Sequence, residues 1–161
     1  MRTEDVSAEL AKPISRELLS SSVPARLAYT GRDGGPRVIP VGFWWDGAQV
    51  LVFTVPSSAK VPALHRDPRV AITIDTQGFP PRVLLVRGAA ELTEVEGVPD
   101  EYVAASKKLM HPEQFDGWLA GVRALYERMT RIAITPTWAK LLDFETTIPK
   151  AVEDLIRARQ P

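Results

Sequence analysis

Ser57, Ser58 and Lys60 form the segment with the clearest chemical meaning in this chain. Two hydroxyls can donate hydrogen bonds, a helix starting beside them offers unpaired N–H groups, and the lysine adds a mobile positive charge. Together these groups suit a phosphate monoester. The same three residues also read as a serine cap followed by a surface lysine, a common way to begin a helix. Upstream, Pro40 lies in a strand-like run over 36–45, where its missing N–H implies an edge, a bulge or an interrupted ladder. Gly42, two residues on, lets another group come close to the backbone.

Nothing else in the chain supplies a nucleophile or metal site of its own. Cysteine is absent, which removes disulfides, thiolate nucleophiles and the common zinc clusters together. The two histidines, His65 and His111, stand beside Arg66 and Pro112 in helix-end contexts, with no carboxylate spaced to orient either. No Ser-His-Asp order, His-x-x-x-His pair or acidic cluster occurs. No catalytic side chain and no metal ligand is therefore expected. Any chemistry belongs to a bound cofactor, around which the protein supplies orientation, dry walls and electrostatics. Trp44, Trp45 and Trp138 read first as buried area in a core or subunit contact, and Arg82 and Arg87 as solvated charges.

The bulk properties narrow the partners. A chain of 161 residues is one ordinary domain, long enough to bury about 68–70% of its unfolded surface. With 45% hydrophobic and 25% charged residues the composition is globular. Twenty basic residues balance twenty acidic ones, so no field of one sign surrounds the molecule to attract nucleic acid or an anionic membrane. The first twelve residues lack an apolar signal region, and no apolar run reaches the length of a membrane span. A cytoplasmic, non-membrane protein is expected.

The elements that must position the candidate residues are short. Residues 1–20 are weakly helical and interrupted by Pro13, with a helix expected from Ser15 as N-cap. Strands are expected at 25–30, 36–45 and 49–55, and Asp33-Gly34 and Asp46-Gly47 supply the hairpin turns of an antiparallel meander. A short helix capped by Ser57 or Ser58 runs to His65, with Pro62 tolerated in its first turn. Residues 70–75 and 82–94 read as further strands. The helical insertion at 100–129 has two parts, and the second carries Phe115, Trp118, Leu119, Val122, Leu125, Tyr126 and Met129 on one face. The last strand, over 131–144, is expected to split at Pro136, and a final helix covers 149–159. Turn signals every eight to twelve residues suggest one small barrel over 1–161, and the lack of βαβ alternation and of Gly-x-Gly-x-x-Gly excludes a Rossmann fold.

The order of these motifs carries a resemblance. Ala25-Arg26-Leu27-Ala28-Tyr29, Pro36-Arg37 with Pro40-Val41 and Phe43, Val52-Phe53-Thr54 and Ser58-Ala59-Lys60 come first. Asp67-Pro68-Arg69-Val70-Ala71, Arg87-Gly88-Ala89-Ala90-Glu91 and Ile134-Thr135-Pro136-Thr137-Trp138-Ala139-Lys140 follow. Over nearly the whole chain this resembles the pyridoxamine 5′-phosphate oxidase-like, FMN-binding split-barrel superfamily. The resemblance implies a mainly β (α+β) fold, a six-stranded antiparallel split β-barrel with peripheral and inserted helices. It also implies a homodimer with cofactor sites at the subunit interface.

In that superfamily the strand matching 38–43 lies along the isoalloxazine ring, Phe53 and Thr54 sit near the ribityl chain, and the Ser-x-Lys segment takes the phosphate. The implied cofactor residues are Pro40, Val41, Phe53, Thr54, Ser57, Ser58 and Lys60, with Trp138 and Lys140 supplied by the partner subunit. Arg82 and Arg87 are further candidates for a polyanionic tail or a substrate group. FMN is the expected cofactor and the deazaflavin F420 the alternative, whose acidic tail would call on Lys60, Arg37 and Lys140. The implied activity is hydride transfer to or from a small organic substrate. No C-terminal basic motif for a substrate phosphate is present, so pyridoxamine phosphate itself is not expected. Two other readings stay open: a module that carries a flavin, deazaflavin or haem without turnover, and a dimerising barrel with no cofactor. The lack of any histidine after His111 counts against haem.

Overall fold

Alternating β-branched and aliphatic residues build one sheet whose inner face is the core. Leu27, Ile72, Ile74, Leu84, Val86, Ile132 and Ile134 are each no more than 1% exposed, and full burial of such a side chain stabilises by about 1.5–3 kcal/mol. The computed structural model describes residues 1–159. Its strands are β1 (Ala25–Thr30), β2 (Pro36–Val41), β3 (Trp44–Trp45), β4 (Val50–Thr54), β5 (Arg69–Asp75), β6 (Val83–Glu96) and β7 (Arg128–Leu142). The helices are α1 (Thr3–Leu10), α2 (Pro13–Ser20), α3 (Lys60–Arg66), α4 (Asp100–Leu109), α5 (Pro112–Leu125) and α6 (Lys150–Ala158). Every strand pairing is antiparallel. Among the described residues no helix is long and apolar enough to cross a membrane.

The mixed α+β, antiparallel architecture expected from the sequence is present, with seven strands in place of six. The run over 36–45 breaks at Gly42-Phe43 into β2 and β3, and the two pieces lie at opposite edges in the order β2-β1-β5-β6-β7-β4-β3. The three-strand meander is thereby corrected. β1 pairs with β2 and β3 with β4, but β2 and β4 do not pair. Two residues link the edge strands, and three Cα steps span at most roughly 11 Å. The sheet must therefore curl until its edges nearly meet, without hydrogen-bonding to each other. Both hairpin turns form as expected, with Gly34 and Gly47 in the left-handed region at φ 81° and 102°.

Pro136 does not split the last strand. β7 runs unbroken through it, and the register against β6 shifts from Gly88↔Pro136 to Arg87↔Trp138, which leaves Thr137 as the extra residue of a bulge. One extra residue flips a period-two strand. Ile132 and Ile134 face the core before the bulge, and Ala139 and Leu141 face it afterwards. Gly88 is required at this point, because a Cβ there would run into the Thr135 carbonyl.

Two helix boundaries also differ from expectation. α2 starts at Pro13, and Ser15, far from capping it, is 0% exposed within it. Pro13 still ends the preceding helix, because its ring occupies the first turn of α2. α5 stops at Leu125, and Met129 is already buried in β7. α1 is fastened to the sheet by Glu9, whose carboxylate accepts the Leu141 N–H at 2.7 Å and pairs with Lys12 at 2.7 Å.

Candidate functional site

A cleft of about 400 Å³ opens where the broken edge strand, β4 and the inserted helices meet. β2 and the break after it contribute Ile39, Pro40, Val41 and Gly42, and β4 contributes Phe53. α4 contributes Tyr102, Ala105, Ser106 and Leu109, which recur at i, i+3, i+4 and i+7 and so form one face of a helix. Trp118 of α5 closes the roof. Edge-on and tilted aromatic contacts run from the strand into both helices: Phe53 to Tyr102 at 5.9 Å, Tyr102 to Trp118 at 5.8 Å and Trp118 to Phe115 at 5.8 Å. Gly42 does admit a close approach, as its residue type suggested. The group that approaches is Leu109 of α4, whose Cδ1 would lie 3.0 Å from a Cβ.

Among the described residues Lys60 is the one charged residue lining this cleft. Its ammonium donates to Thr54 Oγ1 at 3.1 Å and to Ser58 Oγ at 2.9 Å. It makes no ion pair among the described residues. Burial pulls its pKa below the ordinary lysine value, since desolvation disfavours the charged form. A half-buried cation held by two neutral hydroxyls, with one N–H left to give, is the donor set of an anion site. Thr130, the cross-strand partner of Thr54, carries a buried hydroxyl without a hydrogen-bond partner among the described residues.

The serine cap is not used. α3 begins after Ala59 with no side-chain cap bond. The chain instead turns through Ser58, whose N–H donates to Val55 and whose carbonyl accepts from Val61. Ser58 thus serves Lys60, while Ser57 is exposed and outside the cleft lining.

Of the residues singled out in the sequence, Pro40, Val41, Phe53 and Lys60 line the cleft, and Thr54 and Ser58 hold the lysine. Trp138 and Lys140 are not brought there within one chain. Phe53 pairs with Arg131, and Trp138 lies seven residues further along β7, roughly 20 Å away. It stacks instead under Arg87, 4.4 Å from the ring centroid. Arg82 is engaged by Glu17 at 3.0 Å and Arg37 by Asp33 at 2.6 Å. His111 comes within 3.9 Å of Glu113, a loose contact between exposed groups.

Sequence reading missed Tyr102, Ser106, Leu109 and Trp118 as site residues. Their helical periodicity was visible, but not the direction in which that face would point. Burial raises the Tyr102 pKa, aided by Tyr126 and opposed by a hydrogen bond with Ser106, so the phenol remains a neutral donor.

The family model described as pyridoxamine 5′-phosphate oxidase matches residues 12–140, most of the chain. The chain belongs to that family. In this family member the matched span contains the whole cleft, including α4 and α5, and leaves outside α1, the last two residues of β7, α6 and the segments flanking them. No curated protein matches it in sequence. Solved structures share its fold. An F420 reductase superposes with TM-score 0.61 at 24% identity, over 78% of this chain and 94% of the other. General stress protein 26 from Bacillus anthracis gives 0.60 at 17%, over 83% and 95%. An FAD-binding protein from Mesorhizobium loti gives 0.51 at 18%, over 88% and 94%. At these identities the likeness is one of fold.

Proposed function

We propose that this member of the pyridoxamine 5′-phosphate oxidase family is a flavin- or deazaflavin-dependent oxidoreductase, with FMN as its cofactor and F420 as the alternative, acting on a small organic substrate. The observation that carries this reading is Lys60, a half-buried ammonium that, among the described residues, has no carboxylate partner and is the one charge lining its cleft. The residues present fit a phosphate-bearing, planar cofactor. Lys60 and Ser58 suit the phosphate, Thr54 and Phe53 the polyol chain, and Pro40 and Val41 the ring edge, while Tyr102 and Trp118 exclude water from above. The cofactor, when bound, supplies hydride-transfer chemistry that no side chain here could provide. The chain's own part is to neutralise the phosphate, keep the ring dry and offer the neutral Tyr102 hydroxyl as a donor.

A homodimer belongs to the same reading. The outer face of the sheet carries Ala28, Val38, Ala71 and Thr73 around a shallow hollow, and Val38 is 65% exposed. The bulge turns Trp138 and Lys140 onto this outer face. That supports their service to a second subunit's cleft.

Absorbance titration of the purified protein with FMN, riboflavin and F420 tests the assignment. Lys60→Ala is expected to weaken FMN by roughly 10–100-fold, the worth of a charge-assisted hydrogen bond, and to leave riboflavin nearly unchanged. Equal losses for both ligands would remove Lys60 from the phosphate role.

A further inference from the structure

A second cleft, of about 360 Å³, lies between the N-terminal helices, the β3–β4 turn and the segment of β7 before its bulge. It shares no lining residue with the candidate cofactor cleft. Its volume falls at the lower end of small-ligand sites. Val6 and Leu10 of α1 form an apolar floor continuous with the core, and Trp45 supplies an indole wall. The polar side chains are Arg16, Thr3, Ser7 and Thr135, and among the described residues no carboxylate lines the cleft. Arg16 makes no ion pair among the described residues. The acid of the adjoining turn, Asp46, is occupied by the N–H groups of Ala48 and Gln49. Thr135 already accepts from the Gln49 amide at 2.8 Å, which leaves its own proton to give.

We infer that this cleft binds a small carboxylate carried on a compact apolar body. One guanidinium presents a planar fork that matches a carboxylate in two hydrogen bonds. The hydroxyls of Ser7 and Thr135 add donors, and the floor of Val6 and Leu10 with the Trp45 wall rewards an apolar group behind the carboxylate. A single cation with apolar walls favours this ligand over a free inorganic anion, which would leave the floor unfilled.

Benzoate is the probe, with benzamide as its uncharged counterpart and inorganic phosphate as the anion without an apolar body. Calorimetric titration of the full chain is expected to show saturable benzoate binding, with benzamide and phosphate at least roughly tenfold weaker. Arg16→Met keeps the apolar stem of an exposed side chain and should lose benzoate by a similar factor without changing the melting temperature. Lys60→Ala should leave benzoate affinity unchanged, which separates this site from the cofactor cleft. Absence of saturable binding, equal binding of benzamide or phosphate, or undiminished binding by the Arg16→Met protein would each overturn the inference.

Discussion

Two ionisable residues connect local chemistry to measurable behaviour. Lys60 must be protonated to hold a phosphate, and its pKa is already depressed by burial. The preference for FMN over riboflavin is therefore expected to fade as pH rises through a range below that of an ordinary lysine, near 10.4 for an unperturbed side chain. Parallel titrations of both ligands from neutral to alkaline pH check this, and a preference undiminished beyond the ordinary lysine range would count against the role. Glu9 works in the opposite sense. Burial disfavours its charge, but the Leu141 N–H and the Lys12 ammonium outweigh that and hold its pKa below the ordinary glutamate value. A carboxyl whose folded pKa is depressed contributes stability above its unfolded pKa and loses it as pH falls through the folded value. Glu9→Ala, which leaves the Leu141 N–H buried and unbonded, is expected to cost about 1–3 kcal/mol near neutral pH. Urea denaturation should show that gap narrowing on the acid side of the glutamate range.

At the scale of elements, the bulge in β7 decides most. It reverses which residues face the core, so that Ala139 and Leu141 are buried while Trp138 and Lys140 turn outward. Only glycine at position 88 lets the two strands approach there. Gly88→Ala is expected to destabilise the fold by about 1–3 kcal/mol, the usual cost of forcing an atom into a packed site. It should also alter the tryptophan fluorescence, because Trp138 stacks on Arg87 one residue away. Unchanged stability would mean that the strands separate here at little cost. The inserted pair α4 and α5 is positioned by side chains more than by backbone pairing. The aromatic contacts from Phe53 through Tyr102 to Trp118 tie it to the sheet, and Lys108 lies over Phe43 and Trp44 at 4.6 and 5.6 Å.

For the whole molecule, the exposed outer face of the sheet sets the prediction. If a second copy covers it, a charge at its most exposed apolar position should prevent association. Val38→Asp is expected to sediment as a monomer, since Val38 is 65% exposed in a single chain and its loss there leaves the core intact. Where Trp138 and Lys140 serve the partner's cleft, the monomer should also bind FMN more weakly. A variant that remains dimeric would move the interface elsewhere on the surface.

The sequence alone determined what depends on neighbours in the chain. Period-two alternation marks strands, Asp-Gly pairs mark positive-φ turns, and Pro13 ends a helix. Those signals act over a few residues, where sterics and local hydrogen bonds dominate. Tertiary structure alone decided that β2 and β3, adjacent in the chain, become opposite edges of one sheet. It also decided that Pro136 bulges a strand instead of breaking it, and that the apolar face of α4 points into the cleft. The physical reason is that each of these outcomes is set by contacts between residues far apart in sequence. Thr135 against Gly88, Leu109 against Gly42 and Tyr102 against Phe53 are such contacts, and no local propensity encodes their meeting. Ser58 and Lys60 stood out in the chain as either a helix cap or an anion-binding pair, and only the fold showed that no side-chain cap bond forms and that, among the described residues, Lys60 makes no ion pair and lines a cleft.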